Sequence, residues 1–161
     1  MNSVKMDVYE TFHRSWALLT AGNEGDFNTM TVSWGGLGCL WNKSVATVYV
    51  RPSRFTYEFM EKQDYFTLSF YPEEYKPALG LLGRESGRDG DKVVKSGLTP
   101  VPFRQGVTFA EAKTTLLCKK LYWQDMEADR FPQDVKEKFF GPGETVHRLY
   151  IGEILEVQTG E

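Results

Sequence analysis

The sequence has few of the residues that build metal sites and disulfide frameworks. It contains two cysteines, Cys39 and Cys118, and two histidines, His13 and His147. The cysteines are far apart and form no CxxC pair, so they read as free thiols of a reduced compartment rather than a disulfide scaffold. Without a Cys/His cluster or an HExxH motif, no metal site is expected. Positive charge is also not in excess. Nineteen Lys and Arg stand against 22 Asp and Glu, a net charge of -3. Nucleic-acid binders present a basic face, so no nucleic-acid partner is expected, although a basic pocket for a single phosphate group stays open. No apolar run approaches about eighteen residues, which argues against a membrane-spanning helix. The residues after Met1 include no apolar signal region, and the expected location is the cytoplasm.

Several nucleotide and catalytic signatures are missing as well. Gly36-Leu37-Gly38 begins like GxGxxG, but Trp41 occupies the third glycine position, so no Rossmann fingerprint is present. There is no Gly-Lys dipeptide and hence no Walker P-loop. No Gly-x-Ser-x-Gly surrounds a serine, and Ser33 has no evident His and Asp partners, which argues against a hydrolase triad.

What the sequence does have is aromatic side chains: 11 Phe, 8 Tyr and 4 Trp, 14% of its 161 residues. Flat apolar faces suit strand packing and also suit a planar ligand. Apolar residues at 41% and charged residues at 25% are those of an ordinary folded domain, and the length predicts one domain over 1–161. Alternation and β-branched content predict strands over 16–21, 29–34, 45–50, 65–71, 114–125 and 146–157. Helical spacing predicts short helices over 53–62, 73–83, 91–96 and 134–140, with Ser53 as N-cap of the first, Pro77 acceptable in the second only if it lies in the first turn, and Gly97 ending the third. Strands do not alternate with long helices. The fold class is mainly β, an α+β domain built on an antiparallel sheet or barrel.

Four segments carry candidate chemistry. In Arg51-Pro52-Ser53-Arg54-Phe55-Thr56 a strand runs into a helix. Its free N–H groups, the hydroxyls of Ser53 and Thr56 and the guanidinium groups of Arg51 and Arg54 suit a phosphate monoester. The same residues also fit a capping serine between two surface arginines. In 28–36, alternation sets Asn28, Met30, Val32 and Trp34 opposite Thr29, Thr31 and Ser33, ahead of Gly35-Gly36. This is either a strand edge whose amides and hydroxyls meet a heteroaromatic ring or a half-buried strand ending at a glycine bend. The charged loop Ser86-Gly87-Arg88-Asp89-Gly90-Asp91-Lys92 either sends Lys92 to an anion or lies on the surface in solvent. His147 begins a strand pattern and fits a structural role better than a catalytic one.

Taken together and in order, these segments resemble the flavin reductase-like family of FMN-binding split-barrel proteins, which includes flavoredoxin. The resemblance runs from about Trp16 to Val157 and is most specific over 28–56, NTMTVSWGGLGCLWNKSVATVYVRPSRFT. SGRDGDK at 86–92, GLTP at 97–100, CKKLYWQD at 118–125 and HRLYIGEI at 147–154 add to it. It implies a split β-barrel that forms a homodimer with FMN near the interface. It places the flavin ring near Asn28, Thr31, Val32, Ser33 and Trp34, and the phosphate near Arg51, Ser53, Arg54 and Thr56 with Lys92 close by. His147 lies near the flavin with no assigned role, and nothing is implied for 127–142. The implied activity is an FMN-binding oxidoreductase, with NADH or NADPH as hydride donor. The alternative is an electron carrier whose FMN is reduced by a protein partner. No residue is expected to act as a catalytic acid or base, and Lys92 is a candidate for positive charge near the ring.

Overall fold

The computed structural model describes residues 4–160. Its strands are β1 (Ala17–Asn23), β2 (Asp26–Val32), β3 (Gly35–Leu40), β4 (Lys43–Val50), β5 (Tyr65–Phe70), β6 (Pro100–Phe103), β7 (Gly106–Phe109), β8 (Thr114–Asp125) and β9 (Arg148–Thr159). The helices are α1 (Val8–Glu10), α2 (Phe55–Lys62), α3 (Lys76–Arg84), α4 (Lys92–Ser96) and α5 (Gln133–Phe139). Seven strands form one sheet in the order β2-β1-β5-β8-β9-β4-β3, and β6 pairs with β7 in a separate hairpin. Every pairing is antiparallel.

The sheet rolls around a single interior. Leu19, Met30, Val48, Leu68, Leu116 and Tyr150, one residue from each of six strands, meet there with Met60 of α2. β1 and β5 are buried on both faces. Behind them, Leu18 packs with Leu79 and Leu82 of α3 and with Phe109. The hydroxyls of Thr67, Ser69 and Thr115 lie beneath the hairpin: Thr67 donates to the Val107 carbonyl at 2.6 Å, and Ser69 bonds Thr108 at 2.9 Å. These bonds satisfy polar groups that would otherwise be costly to bury. They explain why strands with alternating Thr and Leu have no solvent face.

The structure corrects several sequence expectations. β3 was not expected, because Gly35, Gly36 and Gly38 depress strand propensity. It forms because the turn at Trp41 and Asn42, both at positive φ, folds it back on β4. The β6–β7 hairpin was also missed, since Pro100 and Pro102 read as breakers and are tolerated only at an edge. β2 starts three residues earlier than expected and ends at Val32, which leaves Ser33 and Trp34 outside it. β9 begins at Arg148, one residue after His147. Ser53 is not the cap of α2. Arg54 holds that position without a side-chain cap bond, because a turn closed by Arg54 N–H to the Arg51 carbonyl delays the helix start. Pro77 does lie in the first turn of α3, and Gly97 at φ 76° does end α4.

Candidate functional site

β2 is an edge strand, so its outer N–H and C=O groups are not taken by another strand. Beyond its last residue the chain crosses toward β3 through Ser33 and Trp34. This edge, the end of β4 and the approach to β9 enclose a first cleft of about 310 Å³. It is lined by Met30, Thr31, Val32, Ser33, Trp34, Tyr49, Arg51, Arg54 and His147. A second cleft of about 340 Å³ adjoins it, sharing Met30 and Arg54. Its other walls are Asn28, Ser53, Phe55, Thr56, Arg84, Glu85, Ser86, Gly87 and Lys92. The eleven residues singled out in the sequence therefore fall on two adjoining clefts, with Arg54 between them.

The two arginines differ in commitment. Arg51 is held by the 139–145 segment: it pairs with the Glu144 carboxylate, donates to the Phe139 carbonyl at 2.9 Å and lies over the Phe140 ring. It lines only the first cleft. Arg54 donates to the Gly83 carbonyl at 3.0 Å and has no carboxylate partner among the described residues. Burial, followed by repulsion from Arg51, lowers its pKa.

Lys92 is the most constrained cation. Only 4% of it is exposed. Its ammonium donates to the Leu82 carbonyl at 2.9 Å and the Glu85 carbonyl at 3.1 Å, at the end of α3. The neighbouring Glu85 carboxylate is taken by Lys95. Burial, then Arg54, pushes the Lys92 pKa down to about 8, against the pull of Glu85. A buried ammonium that bonds two carbonyls and pairs with no carboxylate among the described residues is poorly compensated, and an anion in the second cleft would complete its shell. Lys92 lines this second cleft and not the first.

The loop that carries Lys92 is fixed by two contacts distant in sequence. Arg88 donates to the Ser53 carbonyl at 3.1 Å, pairs with Glu58 and stacks on Phe55. A Cβ on Gly87 would lie 2.3 Å from Asn28 Oδ1 and 3.0 Å from Phe55, so only glycine allows this approach. Asn28 in turn donates to Thr56 Oγ1 at 2.7 Å. Thr31 donates its proton to the Leu79 carbonyl.

His147 is 8% exposed and packs against Trp34 and Phe140, with centroids at 5.4 Å and 5.6 Å. Burial, then Arg51 and Arg54, holds its pKa down at about 4. It is a neutral aromatic wall at neutral pH. Trp34 is 44% exposed and meets the edge of Phe139 at 5.2 Å. Phe139 and Phe140 were legible only as the end of the helix expected over 134–140, and Glu144 carried no sequence signal. Met30, Tyr49 and Arg84 were also missed as lining residues. Tyr49 was legible only as an odd strand position, and Arg84 only as the end of a helix.

The model of one family, described as flavin reductase like domain, matches residues 9–161. The chain belongs to the flavin reductase-like domain family. No curated protein matches the sequence. Among solved structures, the flavin reductase-like fold seen here is similar to flavoredoxin of Desulfovibrio vulgaris (Miyazaki F). That match has a TM-score of 0.68 and 23% identity over 91% of this chain and 69% of the other. An FMN-binding protein from Thermus thermophilus with bound p-hydroxybenzaldehyde gives 0.71 and 21% over 100% and 83%. A protein of Shewanella frigidimarina NCIMB 400, described as a flavin reductase with a split barrel domain, gives 0.72 and 17% over 91% and 67%. At these identities the likeness is one of fold, and the fold is the split barrel.

Proposed function

We propose that this protein binds FMN, with the ring in the first cleft and the phosphate in the second, and works as an NAD(P)H-dependent flavin oxidoreductase. The observation that carries this reading is Lys92: a buried ammonium without a carboxylate, beside Arg54 and the hydroxyls of Ser53, Thr56 and Ser86. This donor set matches a phosphate group. The first cleft supplies what a planar heteroaromatic ring needs: the free edge of β2, the apolar Met30 and Val32, and the rings of Trp34 and Tyr49. Bound FMN would supply the hydride and electron chemistry. The chain's own residues hold and orient it. His147 and Phe140 exclude water on one side, and Thr31 is tied to α3 and keeps its hydroxyl proton out of the cleft. His147, held neutral by burial beside the two arginines, carries no proton to give at neutral pH.

We also propose that the working unit is a homodimer, supported by the exposed Trp41 at the β3–β4 turn and the free edge of β3. Sedimentation checks it: a stable FMN-loaded monomer rejects it.

The deciding experiment is an anaerobic visible spectrum of the purified protein before and after NADH or NADPH. A flavin spectrum that bleaches with either supports the oxidoreductase. One that bleaches only with dithionite rejects the hydride donor and leaves the flavoredoxin-like electron carrier. A colourless protein that takes up no FMN rejects the flavin reading.

A further inference from the structure

The connection between β8 and β9 leaves the sheet and returns to it. At its base Met126 N–H donates to the His147 carbonyl at 3.0 Å, and α5 lies within it. Val135 and Phe139 stand four residues apart and share one face of α5. No residue of α5 is fully buried, so this apolar face is not packed into the barrel. It faces a third cleft, of about 370 Å³. Met126, Val135, Phe139 and Phe140 form one side of this cleft. Trp34, Tyr49 and His147 form the other, and these three also line the first cleft. The two clefts therefore share a wall. The volume is within the roughly 300–1,000 Å³ of small-molecule sites.

The chemistry of the walls limits the occupant. No Lys, Arg, Asp or Glu lines this cleft. Arg51 is spent on Glu144 and the Phe139 carbonyl. Lys138 lies over the Phe139 ring at 5.1 Å but does not line the cleft. A phosphate would lose its hydration here and gain no partner, so the cleft does not suit a phosphorylated dinucleotide. A flat uncharged ring loses little water of hydration and gains contact with Trp34, Phe139 and Phe140. Among such rings, a quinone accepts two electrons and takes its proton on oxygen from solvent. It makes no demand for a positioned acid, and His147, held neutral by burial, supplies none.

We infer that the third cleft receives the electron acceptor of the flavin reaction, and that this acceptor is a small uncharged quinone. The inference rests on the flavin reading of the first cleft. In the complete reaction NAD(P)H gives up a hydride and becomes NAD(P)+. The hydride equivalent passes by way of the flavin to the quinone, which takes one further proton from solvent and becomes the hydroquinone. Met126, Val135 and Phe139 then set which acceptor enters.

The probe is duroquinone, a tetramethylbenzoquinone whose full substitution keeps it from adding to the exposed thiol of Cys39. The charged comparator is its analogue with one methyl replaced by a carboxylate. Equilibrium dialysis measures binding of each to flavin-free protein. Stopped-flow absorbance follows reoxidation of FMN-loaded protein that has been reduced anaerobically with stoichiometric dithionite. The natural chain is compared with Val135→Asp and Val135→Leu, and circular dichroism confirms the fold of each. Duroquinone is expected to bind and to reoxidise the flavin, and its carboxylate analogue to bind at least about tenfold more weakly. Val135→Asp should weaken duroquinone by a similar factor with FMN affinity unchanged, and Val135→Leu should behave as the natural chain. Where Val135→Asp fails to fold, the carboxylate analogue on the natural chain makes the same test. Equal binding of the two quinones, or a folded Val135→Asp that binds duroquinone normally, overturns the site. Binding without reoxidation of the flavin overturns the acceptor role and leaves the flavin reading intact. Failure to bind FMN overturns the flavin reading, and the acceptor role with it.

Discussion

Replacing Lys92 by Met tests the site most directly. The side chain is buried and, among the described residues, its ammonium hydrogen-bonds only two carbonyls, so its charge matters mainly to whatever anion enters the second cleft. A hydrogen bond from a charged donor contributes about 1.5–3 kcal/mol. Lys92→Met should therefore weaken FMN roughly 10- to 150-fold. Riboflavin has the same ring and no phosphate, and its affinity should be nearly unchanged. Calorimetry of both ligands on both proteins closes a double-mutant cycle, and the difference between the two losses is the Lys92–phosphate coupling. The pH dependence gives a second check, with opposite signs for binding and folding. Burial holds the Lys92 pKa in the folded, flavin-free protein down at about 8, well below the ordinary lysine value of 10.5. FMN affinity should fall as pH rises above about 8, because the binding form loses its charge. Stability of the flavin-free fold should rise over the same window, between about 8 and 10.5, because the unfolded chain binds more protons there. Both trends should vanish in Lys92→Met. Equal losses for FMN and riboflavin, or no loss for FMN, would refute the phosphate assignment.

His147 makes the fold acid-sensitive. Its folded pKa of about 4 lies below the ordinary histidine value of 6.5, so the stability it allows is complete above 6.5 and is lost as pH falls toward 4. Urea unfolding at pH 7 and pH 4.5 should show a smaller acid loss in His147→Phe than in the natural chain. Gly87→Ala forces a Cβ into Asn28 and Phe55 and breaks the Asn28–Thr56 bond. It should cost about 1–3 kcal/mol in chemical denaturation and should also weaken FMN. Arg51→Ala releases the 139–145 segment from Glu144 and the Phe139 carbonyl. Hydrogen exchange should accelerate over 133–145, with the protection of β5 and β8 unchanged. Uniform exchange across the chain would reject the anchoring role of Arg51.

Much of the site was legible in the linear order of residues. Side-chain chemistry is local information: hydroxyls and arginines packed into 51–56, a lysine behind a glycine loop at 86–92, and alternation over 28–34 all name possible functions at their positions. Strand period is local too, which is why β4, β5 and β8 lie near their expected bounds. β3 and the β6–β7 hairpin were lost because their strands exist through pairing and burial, against the propensities of their glycines and prolines.

Other properties belong to the folded chain alone. Whether Lys92 is a solvated surface cation or a buried one depends on where α3 ends, and that is set by the packing of Leu79 and Leu82 on Leu18. The division of labour between Arg51 and Arg54 turns on Glu144, a partner 93 residues from Arg51 along the chain. His147 loses its basicity through burial beside two arginines, neither of them near it in sequence. Chain order fixes which chemical groups are available and where strand or helix periodicity is strong, as in β4, β5 and β8. Folding settles which charges are spent on the protein's own carboxylates and which remain for a ligand, because desolvation and ion pairing depend on distances between residues that chain order does not contain.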